Sequence, residues 1–349
     1  MNKQFDLQNL VRNNVKLLKP YSSARDEFHT TGEEMIFLDA NENPFPTTVN
    51  RYPDPQQKEL KQVIGDLKGI EVRNILLGNG SDEVLDLLYR AFCEPGKDNV
   101  ITLPPTYGMY GVLAGINNVE NREVLLSMDF QPNVEGVLGR VDAKTKIIFL
   151  CSPNNPTGNS FSEESILNIL QSFSGLVVID EAYIDFSQKE SWIKRLQEFS
   201  NLVIIQTLSK AYGLAGIRLG ICIASQSVIG VLNKIKPPYN VNELSQNMAL
   251  ERLKEPQVIY EEVTGILNEK ERLIKVLLDV KFVSEVFKSD ANFMLIRVDD
   301  ANRRYEELIK NGIVVRNRSN QPLCENTLRI TVGTSAENDK LIKVLKGLI

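Results

Sequence analysis

A chain of 349 residues, 42% of them hydrophobic, carries enough apolar material for one large globular unit with a smaller lobe attached. A formal net charge of -5, without any basic cluster, leaves no electrostatic footprint for nucleic acid and points to a small-molecule partner. Cys93, Cys151, Cys222 and Cys324 show no CxxC spacing and His29 is the single histidine, so neither a disulfide framework nor a metal site is indicated.

The N-terminal stretch, MNKQFDLQNLVRNNVKLLKP, lacks an uninterrupted apolar segment, and no run approaches the roughly 18 apolar residues of a membrane span. A cytoplasmic protein with no membrane contact is expected. One short helix near residues 6 to 18 is the only clear element of the first forty. From about residue 70, short apolar runs alternate with helix-like stretches. ILLG (75 to 78), VITL (100 to 103), KIIFL (146 to 150), LVVID (176 to 180), NLVIIQ (201 to 206) and GICIA (220 to 224) read as strands, and 81 to 93, 163 to 172 and 226 to 235 as helices. Several consecutive apolar residues per strand fit a sheet buried on both faces. The reading is α/β: a large domain with a mostly parallel central sheet flanked by helices, plus a smaller α+β domain. A long amphipathic helix at about 255 to 279 leads to ANFMLIRV (291 to 298), a helix at 303 to 311 and TLRITVG (327 to 333). The expected division is an N-terminal arm (1 to 40) joining the small domain, a large domain (41 to 270) and a small C-terminal domain (271 to 349).

Four segments carry chemistry. TLSKAYGLAGIRLG (207 to 220) sets Lys210 just past a strand, between Ser209 and Arg218. A lysine near other cations and partly desolvated has a lowered pKa and can form a Schiff base with an aldehyde, with hydroxyl and guanidinium at hand for a phosphate. Alone, the segment also reads as a loop with a surface lysine. LVVIDEAY (176 to 183) ends a buried strand in Asp180, at the sheet edge where ligands of open α/β sheets bind. A carboxylate there can keep a pyridine nitrogen protonated and make the ring an electron sink; the alternative is a helix N-cap. Tyr183 presents its hydroxyl to the same ligand, while Glu181 is expected to cap or face solvent.

CSPNNPTGNSFSEE (151 to 164) follows another strand, and its rigid Asn-Pro turns fix side-chain direction, so that Asn155 can donate to a phenolate oxygen; an ordinary strand-to-helix turn is the other reading. LLGNGSDEVLDLLYRAF (76 to 92) is a strand, a glycine turn and a helix opening with Ser81 and Asp82, whose backbone N–H groups would cradle a phosphate. The Asp82 side chain is expected to cap the helix. GNG lacks the third spaced glycine of a dinucleotide fingerprint and the GK[ST] of a P-loop, which argues against a nicotinamide dehydrogenase.

Taken together, these segments resemble fold-type I pyridoxal-phosphate enzymes, in particular the histidinol-phosphate aminotransferase branch of the class II aminotransferases. NENPFP (41 to 46), RYPDP (51 to 55), GNGSDE (78 to 83), PPTYGMY (104 to 110), SPNNPTG (152 to 158), DEAY (180 to 183), TLSKAYGLAGIRLG and LRITVGT (328 to 334) occur in the family's order across almost the whole chain. The resemblance implies pyridoxal 5'-phosphate as cofactor, held by Lys210, which also acts as general acid and base. It implies that Asp180 pairs with the ring nitrogen, Asn155 and Tyr183 with the ring oxygen, and that Tyr107 stacks on the ring. Ser81, Asp82, Ser209 and Arg218 would hold the cofactor phosphate. Tyr52 is implied to reach the cofactor of a neighbouring subunit in a homodimer with shared sites. Arg316 and Arg329 would grip the acidic groups of histidinol phosphate and of glutamate or 2-oxoglutarate, with Tyr21 and Asn155 completing the substrate pocket. Core packing is the alternative for Tyr52 and Tyr107, and a solvated surface position for Arg316. An aromatic amino-acid aminotransferase and a threonine-phosphate decarboxylase are the competing activities on this scaffold. A non-catalytic regulator on the same fold would carry an added DNA-binding module and a basic surface, and neither is visible.

Overall fold

A computed structural model describes residues 5–20 and 36–348. Tyr21 and His29 lie outside the described residues. Seven strands, β1 (Ile75–Asn79), β2 (Asn99–Thr102), β3 (Glu120–Glu123), β4 (Thr145–Cys151), β5 (Leu176–Asp180), β6 (Leu202–Thr207) and β7 (Leu219–Ala224), form one sheet in the order β1-β7-β6-β5-β4-β2-β3. Neighbours from β6 to β3 pair in parallel, and β7 runs antiparallel to both β6 and β1. All strands except β7 therefore point the same way, and the C-terminal ends of β1, β2, β4, β5 and β6 open on one edge.

The six strands expected from their apolar runs are present within one or two residues of those bounds. Their residues alternate between two cores: Val177 and Ile179 of β5 face one, Leu176 and Val178 the other. Helices Ser81–Phe92 and Gln226–Ile235 bury Leu85, Leu88 and Leu232 against the second core, while Glu163–Ser172 buries Ile166 and Ile169 against the first. β3 has no apolar signature because it is an edge strand, exposed or half-exposed throughout.

A second sheet of four strands, β8 (Val283–Val286), β9 (Phe293–Val298), β10 (Arg316–Asn317) and β11 (Thr327–Thr331), is antiparallel in the order β10-β11-β9-β8. Helix Pro256–Leu278 links the two units. It opens with proline, whose missing N–H is no loss in the first turn. Its Ile259 and Val263 belong to the large core, and its Leu273 and Leu277 to the core beneath the small sheet.

The arm differs from expectation in its described part. Residues 7 to 17 form two short helices, Leu7–Leu10 and Asn13–Leu17, and not one. The backbone N–H of Arg12 at the break donates to Ala91 O at 3.0 Å, and Leu7, Val11 and Val15 bury themselves with Leu85 and Leu88 of the large unit. Apolar spacing along the arm thus matches the large unit's helices, and this part does not join the small lobe.

Gly220 of β7 sits where a Cβ would overlap the Ser81 nitrogen and the Gly80 carbonyl carbon, so β7 can approach the β1 turn only with glycine there. Gly230, on the exposed side of helix Gln226–Ile235, has open space at the same atom. Gly220→Ala is expected to lower the unfolding free energy by about 1–3 kcal/mol through overpacking. Gly230→Ala should raise it by about 0.5–1 kcal/mol through helix propensity. Urea denaturation of both variants checks the contrast.

Candidate active site

The sheet edge gathers the predicted residues from four chain segments. Asp180 is the last residue of β5, between Cys151 of β4 and Ile205 of β6. Asn155 follows β4, Lys210 lies three residues beyond the end of β6, and Ser81 begins the helix after β1. Ser81, Asp82, Tyr107, Asn155, Asp180, Tyr183, Ser209, Lys210 and Arg218 line one cavity together with Cys151, Ala182 and Thr207.

Asp180 is 3% exposed, and its carboxylate accepts a hydrogen bond from the Tyr110 hydroxyl at 2.7 Å and from the Ala182 N–H at 3.1 Å. Burial pushes its pKa up to about 6, against the pull of those two donors and of Lys210. Tyr110, in the middle of the PPTYGMY motif, was not singled out by sequence reasoning. It is fully buried, its ring stacks on Phe149 with centroids 5.0 Å apart, and Tyr107 meets it edge-on at 5.6 Å. The available signal was its spacing, three residues after Tyr107, which places both on one side of the turn that opens helix Met109–Ile116.

Lys210 is accessible from the cleft, and its amine lies 5.6 Å from the centroid of the Tyr183 ring. Desolvation first, then the positive charges of Arg329 and Arg218, lower its pKa, while Asp180 and Asp82 oppose the shift. Tyr183 is itself packed edge-on against Phe293 of β9 at 5.1 Å, so the small sheet props a residue of the large one.

At the β1 end, Gly80 has φ 80 and caps helix Ser81–Phe92 without a side chain, leaving the first N–H groups open to the cleft. The Arg218 guanidinium lies over Gly80 and its Nη2 is 3.4 Å from Asp82 Oδ2. Arg218 itself adopts a left-handed φ of 56, and its carbonyl accepts from Gly80 N at 2.8 Å, which locks the two turns together. The Asp82 side chain does not cap the helix as expected. It accepts instead from the Tyr107 hydroxyl at 3.0 Å, and Glu83 receives the Asn79 N–H. Ser209 is positioned by Thr207, whose hydroxyl lies 3.0 Å from Ser209 Oγ and accepts from Ser209 N at 3.1 Å.

Glu181 corrects another expectation. It is 1% exposed, accepting from Ser191 Oγ, Trp192 N and Gln206 Nε2, so it organises the loop behind β5 and neither caps nor faces solvent.

The small sheet contributes Arg329, whose Nη1 donates to Asn155 Oδ1 across the cleft and whose guanidinium lies 5.2 Å from the Phe293 ring centroid. Arg316 pairs directly with Arg329 in the β10–β11 register and is exposed. Tyr52 is not brought to this cavity. It is half-exposed, stacked on Tyr239 at 4.5 Å, and lines a separate surface hollow with Phe37, Arg51 and Pro53. All four cysteines are buried and free. Among the described residues no group of His, Cys, Asp or Glu could hold a metal ion, and no helix is long and apolar enough to cross a membrane.

A sheet edge carrying a lysine amine of lowered basicity, a buried carboxylate and an open helix N-terminus has the chemistry to hold a phosphorylated heteroaromatic aldehyde, and residues 39–345 match the aminotransferase class I and II family. The chain belongs to that family, which depends on pyridoxal 5'-phosphate. It is 66% identical to the histidinol-phosphate aminotransferase of Flavobacterium johnsoniae over 345 residues, 99% of each chain. Among solved structures, the histidinol-phosphate aminotransferase of Clostridium acetobutylicum superposes with a TM-score of 0.80 at 26% identity, covering 86% of this chain and 91% of the other. That of Sinorhizobium meliloti, in complex with pyridoxal-5'-phosphate, gives 0.79 at 25% identity over 86% and 84%.

The raised pKa of Asp180 has a consequence for stability. Between the ordinary value of 3.8 and about 6 the folded chain keeps a proton that the unfolded chain has released, so this contribution is present at low pH and is lost as pH rises through 6. Asp180→Asn cannot ionise. In cofactor-free protein the variant should gain on the wild type by on the order of 2–3 kcal/mol between about pH 4 and pH 7, at about 1.4 kcal/mol per pKa unit. Urea titrations across that range check the sign.

Proposed function

We propose that this protein is a histidinol-phosphate aminotransferase, moving an amino group between L-histidinol phosphate and 2-oxoglutarate, with the biosynthetic direction consuming glutamate and imidazole-acetol phosphate. The observation that carries this reading is the convergence of Lys210, Asp180 and Arg329 on one cleft in a chain 66% identical to an enzyme of that name over its full length.

The residues fit pyridoxal phosphate. Lys210 has the lowered basicity an imine-forming amine needs, Asp180 is a buried anion for a ring cation, and the Gly80 turn with Arg218 and Ser209 forms a cradle a side chain at Gly80 would fill. When bound, the cofactor supplies an aldehyde for the amino group and a protonated ring that absorbs the electron pair left at the substrate Cα.

Lys210 would hold the cofactor at rest and, once released, would move the proton at the substrate Cα. Desolvation first, then the charges of Arg329 and Arg218, lower the basicity of its amine, the direction a base requires. Asp180, ionised above about pH 6 and oriented by Tyr110 and Ala182, keeps the ring nitrogen protonated. Asn155 and Tyr183 would hold the ring oxygen, and Tyr107, tethered to Asp82, would pack against the ring. Backbone groups of Ser81 and Asp82 with Ser209 and Arg218 would hold the cofactor phosphate.

Arg329 and Arg316 bind the acidic groups of both substrates, which the forked geometry of guanidinium suits, with Tyr21 and Asn155 closing the pocket. Tyr52 is exposed and remote from its own cleft, which supports its service to a neighbouring subunit in a homodimer. A cytoplasmic enzyme of small metabolites is the reading that accords with relatives named histidinol-phosphate aminotransferase.

Adding L-histidinol phosphate without a keto acid to the yellow holoenzyme is expected to convert its absorbance to that of the pyridoxamine form. A protein that stays yellow would assign the substrate to an aromatic aminotransferase or a threonine-phosphate decarboxylase. Lys210→Ala should abolish turnover while leaving the thermal midpoint within about 4 °C, since an accessible side chain carries little packing energy.

A further inference from the structure

Three arginines share one face of the small sheet, and the third has no role in the site described so far. Arg316 lies opposite Arg329 in the β10–β11 register. Arg318, two residues on, continues that pairing through its N–H to Thr327 O at 2.9 Å, so the alternation of a strand puts its side chain on the same face. Elsewhere in the chain, partly buried arginines are neutralised. Arg304 sits between Asp299 and Glu307, and Arg272 between Glu269 and Asp339. Among the described residues, none of Arg316, Arg318 and Arg329 has an acidic partner.

Burial makes this costly. Arg318 is half-buried, and its Nε has neither solvent nor a hydrogen-bond acceptor; the same holds for Arg329 Nε and for the hydroxyl of the adjoining Ser319. Desolvation and the charge of Arg316 lower the Arg318 pKa, and only Cys324 and Tyr183, neither of them an acid of any strength, work the other way. Unmet donors and uncompensated like charges at one place are the mark of a site completed by an anion. Arg318 shares its strand face with Arg329, whose Nη1 donates to Asn155 of the cleft, so that anion belongs to the substrate end of the same cavity.

We propose that Arg318, with the Ser319 hydroxyl, is a specificity-determining element of this active site that binds the phosphate monoester of the substrate. Arg316 and Arg329 suffice for a carboxylate, which carries one charge. A phosphate monoester near neutral pH carries close to two, with three acceptor oxygens, and uses the additional fork. The inference rests on the proposed histidinol-phosphate reading for the identity of the phosphate, but not for its binding.

The test uses the holoenzyme, whose cofactor fills the Ser81–Arg218 end. Calorimetric titration with inorganic phosphate should show saturable binding to the wild type, weakened about 10-fold or more in Arg318→Gln and partly restored in Arg318→Lys, given the strength of charge-assisted hydrogen bonds. In the half-reaction, Arg318→Gln should raise KM for L-histidinol phosphate by a similar factor with kcat within about twofold. KM values for L-histidinol and for L-glutamate, which lack phosphate, should stay within about twofold. Equal losses for all three amino donors, or unchanged phosphate binding in a variant with wild-type thermal midpoint, would overturn the proposal. A wild type inert toward L-histidinol phosphate would sink the proposed function, while the phosphate titration would still decide the role of Arg318.

Discussion

An ionisable carboxylate at the end of a strand buried on both faces is the constraint around which this molecule is arranged. Left alone, Asp180 would be neutralised by its surroundings, because burial is the largest influence on its pKa. Two donors keep it within reach of ionisation at neutral pH, one from the turn that follows β5 and one from Tyr110. Tyr110 can deliver that hydroxyl only because Phe149 of β4 stacks beneath its ring and helix Ser81–Phe92 closes over it, with Tyr89 donating to the Tyr110 carbonyl at 2.8 Å. The parallel sheet supplies the remaining requirement. With β1, β4, β5 and β6 all ending on one edge, the cation of Lys210, the carboxylate of Asp180 and the helix N-terminus at Ser81 meet in one cavity.

The second sheet supplies positive charge. Arg329 reaches across to Asn155 and, through its field, lowers the basicity of Lys210. One residue thereby links the group that would hold an acidic substrate to the group that would move its proton. The long helix Pro256–Leu278, rooted in both cores, fixes the distance between the sheets.

Much of this was legible in the sequence because the central strands are continuous apolar runs, which few other contexts tolerate. β5 ends in Asp180 itself, and polar turns carrying Asn155 and Lys210 follow β4 and β6, so the chemistry-bearing residues announced their own positions. What escaped did so for identifiable reasons. β3 is an edge strand of charged and polar residues, with no pattern to find. Tyr110 looks like a core aromatic until the β5 carboxylate is placed beside it. Glu181 was misjudged because its three partners arrive from Ser191, Trp192 and Gln206, well along the chain. The arm's two short helices present Leu7, Val11 and Val15 to the large unit, a choice of partner that spacing alone does not reveal. Arg318 needed the β10–β11 register before its shared face with Arg316 and Arg329 was evident.

Every role proposed for this cleft depends on Lys210 as the amine that holds the cofactor. Reduction of the yellow holoenzyme with borohydride, followed by proteolysis and mass spectrometry, tests this directly, since it freezes the link between cofactor and protein at a single nitrogen. The pyridoxyl group is expected on the peptide containing TLSKAYGLAGIR, at Lys210. Its recovery on any other lysine would contradict the site described here.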